Sequence, residues 1–172
     1  ATRHGGGVSW NGINGTLIGS TFINNTAEIN GGAFDWWEIN GTVSDCIFID
    51  NTANNCGGAF SWANAKGSVS NSIFINNTAN YGGAIYFHYA ANGILTNSIF
   101  KDNIANTRGG AIHWSEAGLM IDCSFINNEW INSSSKSNGI YAAKDLTINS
   151  GIGIVDIFTY GTLSGISIVV LN

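Results

Sequence analysis

Eleven carboxylates and three histidines are the groups in this 172-residue chain able to move a proton or hold a cation. Cleaving a polysaccharide takes clustered acids with a base or calcium, or two carboxylates roughly 5 to 9.5 Å apart. Asp50 and Asp102 occupy the same place in a repeated motif, with Asn76 between them, and Asp45 and Asp122 lie three repeats apart. Neither pair makes a convincing acid couple, and His88 and His113 read as surface side chains. The sequence therefore predicts a non-enzymatic protein with no metal and no cofactor. The alternative is a polysaccharide-acting lyase or hydrolase whose active coils are missing or degenerate here.

Binding chemistry is better represented. After each Gly-Gly pair the second and fourth residues are Val8 and Trp10, Phe34 and Trp36, Phe60 and Trp62, Ile85 and Phe87, Ile112 and Trp114. An alternation of that kind marks a core-facing strand side. It sends the intervening set, Ser9, Asp35, Ser61, Tyr86 and His113, outward, followed by Trp37, Ala63, His88 and Ser115. Exposed aromatic rings beside acids, including Glu38 and Glu116, suit a sugar or a peptide. The candidate ligand-binding strip is Asp35, Trp37, Tyr86, His88 and His113.

These residues must be positioned by a repeat. Phe-x-x-Asn begins at Phe22, Phe48, Phe74, Phe100 and Phe125, and Gly-Gly at Gly5, Gly31, Gly57, Gly82 and Gly109, a period of 25 to 27 residues. A fixed period of this size is an architecture signal. A glycine sits seven residues before every Phe (Gly15, Gly41, Gly67, Gly93, Gly118), and a small residue two before it (Ser20, Cys46, Ser72, Ser98, Cys123). Columns alternate at period two, and no window keeps a helical stripe. Asn-Gly, Asn-Asn and Gly-Gly between the strands are turn chemistry. Three short strands and three turns per repeat make one coil of a parallel β-solenoid, with like positions stacked about 4.8 Å apart. The five Phe then form an internal stack, and Asn25, Asn51, Asn77, Asn103 and Asn128 a ladder of amides that donate and accept along it. Residues 1–172 read as a single domain, with regular repeats over 5–128 and irregular coils over 129–172. We expect six to seven coils in all and a protruding loop at about 130–138.

With 10% charged residues and a net charge of −5, the chain lacks the basic surface that phosphate backbones require, so nucleic acid is excluded as a partner. No apolar run reaches the length of a spanning helix, about 20 residues. Cys46 and Cys123 are too many coils apart to bridge, and the three cysteines read as small core residues. Thiols without bridges suit the cytosol or, equally, the surface of an anaerobe.

Repeated Phe-x-x-Asn with Gly-Gly-Ala-Ile resembles the chlamydial polymorphic outer-membrane proteins, and Phe-Ile-Asn-Asn-Thr-Ala the adhesin-like surface proteins of methanogenic archaea. The match covers roughly residues 5–128. It ends where Asn128 is followed by Glu129-Trp130 instead of Thr-Ala. The resemblance implies a right-handed, single-stranded parallel β-helix, pectate-lyase-like in shape, displayed outside the cell. It also implies an adhesin, stalk or filament module whose partner is a host or cell-surface glycan or protein.

Three further expectations concern the surface. Sequons at Asn14, Asn24, Asn40, Asn76 and Asn132 are glycosylation candidates, with only the Asn132 loop freely accessible. Ile47, Ile73 and Ile99 before the Phe, and Ile23, Ile49, Ile75 and Ile126 after it, form an apolar outer stripe unless a turn buries one column. The last residues, Ile166 to Leu171, carry no charge to deter strand pairing. We therefore expect the chain to be one segment of a longer surface protein, continued by a neighbouring domain or subunit at its C-terminal edge.

Overall fold

The structure is a computed structural model that describes residues 2–38, 40–64, 66–89, 93–131, 139–152, 157–159, 161–165 and 168–169. It is an all-β parallel solenoid, and like positions of successive coils pair. Phe22, Phe48, Phe74, Phe100 and Phe125 stand in register across four ladders, as do Val43, Val69, Leu95 and Met120 beside them. The repeat period is thus the coil length.

Each coil crosses three sheets. The Gly-Gly sheet has seven strands running from Val8–Trp10 through Phe34–Trp36, Phe60–Asn64, Ile85–Tyr89, Ile112–Trp114 and Ile140–Ala142 to Ile157–Thr159. The Phe sheet takes two strands from a regular coil, as in Ser68–Ser70 and Ile73–Ile75. The Thr-Ala sheet has six strands, among them Thr26–Asn30, Thr78–Tyr81 and Ile104–Arg108. About five turns are complete. Leu146–Ile152, Leu163–Ser164 and Ile168–Val169 continue the Phe sheet, but among the described residues the Thr-Ala sheet ends at Glu129–Trp130. The expected six to seven coils are reached only by counting these partial ones. The loop expected at about 130–138 falls mostly on residues 132–138, and the apolar end on 166, 167 and 170–172, outside the described residues.

The core is a set of columns. Neighbouring Phe rings stack with centroids 4.8 to 5.1 Å apart and planes within 8° of parallel, each pair contributing about 0.5 to 1.5 kcal/mol beyond burial alone. Trp36 and Trp62 stack at 5.0 Å, and Phe87 lies 4.5 Å from Trp114. The buried indoles need both room and an acceptor. Room comes from the glycine column: a Cβ on Gly67 would sit 1.9 Å from the Trp62 ring, and one on Gly41 2.4 Å from Trp36. Acceptors come from the preceding coil, where Gly12 O and Glu38 O receive the Trp36 and Trp62 Nε1–H at 3.0 and 3.1 Å.

Two polar ladders satisfy the turns. Asn77 shows the pattern of the amide column: its Nδ2 donates to Phe48 O at 3.0 Å and to Asn103 Oδ1 at 2.9 Å, and its Oδ1 accepts from both nitrogens of Asn51 at 3.0 Å. Asn51, Asn77, Asn103 and Asn128 are fully buried, while Asn25 at the open end is half-buried. In the small-residue column Ser72 Oγ accepts from Cys46 N, and Ser98 Oγ from Ser72 N, each at 3.2 Å. Cys46, Cys56 and Cys123 are buried free thiols. Burial pushes the Cys123 thiol up to about 12.

Candidate functional site

The first glycine of each Gly-Gly pair turns the chain with positive φ, 62° at Gly31 and 63° at Gly57 and Gly82. There the Thr-Ala strand ends and the Gly-Gly strand begins, and the outer faces of the two sheets converge into a re-entrant corner. Side chains from opposite sides of the turn therefore touch. Tyr81, before the turn, meets Tyr86 and His113, after it, edge-on at 6.4 and 5.6 Å. Arg108, also before a turn, lies 4.9 Å over the Tyr141 ring.

This geometry corrects one expectation. Asp35, Ser61, Tyr86 and His113 do leave the core, but they are 0, 2, 9 and 6% exposed. The residues just before each glycine pair cover them: His4, Asn30, Cys56, Tyr81 and Arg108. The sequence reading missed these five, although their constant place one residue before Gly-Gly was available as a signal. One step beyond the buried column, Trp37 is 37% exposed and His88 is half-buried.

The five strip residues fall into two groups. In the first, Trp37 Nε1 donates to the Asp35 carboxylate, His4 Nδ1 lies 3.6 Å from Asp35 Oδ2, and the His4 and Trp37 rings meet edge-on at 5.3 Å. In the second, Tyr86 packs 5.1 Å from His88 and 4.7 Å from His113, which continues to Tyr141 at 4.5 Å. One coil separates the groups, and there the same columns hold Ser61 and Ala63.

Burial dominates the electrostatics. It raises the Asp35 carboxyl above its ordinary range, against the opposing pull of Ser61, Trp37 and His4. Burial, then the charges of Arg108 and His88, takes His113 down to about 3. Burial thus favours the neutral forms of both Asp35 and His113. Cys56 is pushed up to about 12 by burial, with Asp35 adding to it.

A pH dependence follows. His113 is neutral in the fold, whereas in the unfolded chain it takes up a proton near 6.5. Below that pH the unfolded state binds more protons, so this residue's contribution falls as pH drops toward about 3, by up to about 1.4 kcal/mol per pH unit. Asp35 has the opposite sign: its raised carboxyl retains a proton that the unfolded chain has released, so acidification restores stability above the ordinary carboxylate value. Urea melts of the parent and His113→Gln between about pH 7 and 4 separate the two effects. The parent should lose stability more steeply on acidification; equal slopes would show His113 to be protonated in the fold.

The candidate acids sit elsewhere. Asp45 and Asp122 (φ 55° and 52°) share one left-handed turn column with Asn71 and Asn97, and Asp50 and Asp102 (55° and 54°) another with Asn24, Asn76 and Asn127. Short polar side chains tolerate this conformation, which accounts for aspartate there. Asp50 Oδ1 accepts from Asn76 Nδ2 at 2.6 Å, and Asp102 lies 3.8 Å from Lys101 Nζ. The sequon residues Asn14, Asn24, Asn40 and Asn76 occupy similar left-handed turns and are exposed. That corrects the expectation that only Asn132, which lies outside the described residues, is accessible. With the Phe rings inward, Ile23, Ile99 and Ile126 are 52, 41 and 41% exposed, while Ile47, Ile49, Ile73 and Ile75 are half-buried.

Residues 45–61, 71–88 and 97–113 each match the Chlamydia polymorphic membrane protein repeat. Each match spans the Phe strand, the amide ladder, the Gly-Gly turn and the start of the strand that floors the corner. Comparison with curated proteins and with solved structures returned no match. Motif, period and coil coincide in all three copies: the chain is a parallel β-solenoid in which three coils carry stretches similar to the Chlamydia polymorphic membrane protein repeat.

Proposed function

We propose that this chain is a non-enzymatic adhesin module of a cell surface, and that it holds its partner, a surface glycan or protein, along the corner beside the Gly-Gly sheet. The observation that carries the reading is the contrast between faces. The repeated turn columns use Asp and Asn for backbone shape, whereas the corner gathers His4, Asp35, Trp37, Tyr86, His88 and His113, which vary from coil to coil. A scaffold explains regular columns. Irregular aromatic and polar groups along a re-entrant edge suit recognition. The repeat family supports an extracellular, outer-surface location.

Tyr86, at 9% exposure, is a poor probe because truncating it would open the packing around His113. Trp37 is the better one. Trp37→Ala should reduce attachment of the purified chain to cells or immobilised glycans by about tenfold, as loss of an aromatic anchor does, in a protein that still folds but with a lowered urea midpoint, since the buried Asp35 carboxylate loses its indole donor. Undiminished attachment by a folded Trp37→Ala protein would remove the corner from the account.

A further inference from the structure

The coil between the two aromatic groups leaves a slot. Trp37 forms one wall and His88 with Tyr89 the other, while Ser61, Ala63 and Asn64 make the floor and Asn30 closes the inner side; the cavity measures about 310 Å³. That is at the small end of ligand sites, which run from roughly 300 to 1,000 Å³. Trp37, Ala63 and His88 follow Trp36, Trp62 and Phe87, which pair in adjacent strands, so the walls are two coils, about 9.6 Å, apart. A saturated ring held between aromatic walls needs roughly 4 Å on each side. The slot therefore accepts one ring, edge-in.

Its polar groups narrow the chemistry. Asn30 Oδ1 is buried without a hydrogen-bond partner among the described residues. The Ser61 hydroxyl lies on the floor, and Asn64, whose amide nitrogen donates to Trp37 O, brings a carbonyl oxygen able to accept. Among the described residues, no Lys, Arg, Asp or Glu lines the cavity. An anionic sugar would find no cation there and an amino sugar no carboxylate. A purely apolar ligand would leave Asn30 Oδ1 unsatisfied. A ring with an apolar C–H face and hydroxyls at its edge satisfies both sides.

We propose that the slot between Trp37 and His88 takes a single uncharged pyranose residue of a glycan, its C–H faces against the aromatic walls and its hydroxyls donated to Asn30 Oδ1 and Asn64. This rests on the adhesin reading and names the ligand class for it. The test titrates the full 172-residue chain with the methyl glycosides of glucose, galactose, mannose and N-acetylglucosamine, and follows the indole N–H signals by NMR. At least one sugar should shift the Trp37 signal with a Kd on the order of 1 mM, as a one-ring contact gives. Methyl glucuronide should not. Ala63→Phe fills the slot and should weaken binding by at least about tenfold; Trp37→Ala, read on the remaining indoles and by calorimetry, serves if that variant does not fold. No shift at Trp37 with any of the four at tens of millimolar, or unchanged affinity in Ala63→Phe, overturns the slot. Attachment to cells, measured in parallel, keeps the two ideas apart. Attachment without pyranoside binding refutes the slot and leaves the adhesin reading standing, whereas pyranoside binding lost in Ala63→Phe supports the slot whether or not cells are held.

Discussion

Gly83→Ala will destabilise the chain by at least about 4 kcal/mol, with a fall in Tm of roughly 10 °C or more. The added Cβ would lie 2.1 Å from Gly110 O and 2.6 Å from Ile104 C and O. These are backbone atoms of the next coil, and they are not free to move. Gly83 N is bonded to Gly109 O at 3.1 Å and Ile104 N to Asn77 O at 2.9 Å, so relief at one clash stretches a ladder. Gly32 and Gly58 face the same obstruction, at 1.9 and 2.1 Å. The control is Gly19, whose φ is +59° but whose Cβ position meets nothing within 4 Å. Asp45 and Asn71 hold the same turn in the next coils, so Gly19→Asn should change stability by no more than about 0.5 kcal/mol. Circular-dichroism melts of the two variants decide the matter. A Gly83→Ala protein as stable as the parent would mean that the coils are not stacked in this register.

The second large effect is expected in the amide ladder. Asn77→Ala removes the acceptor of Asn51 N and Nδ2 and the donor to Phe48 O, all inside the solenoid. Each buried group left without a partner costs about 1 to 3 kcal/mol. The expected loss is about 3 to 5 kcal/mol, a large part of the 5 to 15 kcal/mol that folded chains possess. Asn25→Ala should cost only about 1 kcal/mol, since this half-buried end of the ladder donates to Asn51 and Ile23 and, among the described residues, accepts from no earlier amide. Urea denaturation measures the difference directly. Equal losses at the two positions would show that burial does not grade the ladder.

These two columns also show what could be read without a structure. A solenoid converts sequence period into stacking, so residues at one spacing acquire one environment, and the Phe stack, the amide ladder and the inward Trp positions follow from spacing alone. The sign of a bend does not. Gly-Gly announces an unusual turn but not that the turn folds two outer faces toward each other, and this is why Asp35, Tyr86 and His113 looked exposed and are buried. Alternation along a strand distinguishes core side from outer side; it cannot say that the outer side is covered by the sheet before it. The partners that cover it, Tyr81 and Arg108 among them, carry no motif beyond their place before the glycines. Asp45 and Asp50 were better signalled, because a column that exchanges Asp with Asn is set by backbone conformation. The slot at Ser61 and Ala63 was hidden for a different reason: it is made by two small residues between large ones in neighbouring coils, a pattern that emerges only when the coils are aligned side by side.

The central claim is that this repeat module holds a surface partner and does not transform it. The most direct measurement incubates the full chain with a panel of plant, bacterial and host polysaccharides, reading retention on the immobilised glycan and, in the same samples, new reducing ends and unsaturated uronate absorbance. The account predicts retention on at least one glycan, sensitive to Trp37→Ala, with no product formed. Release of cleaved product from any polysaccharide by the purified chain would contradict it.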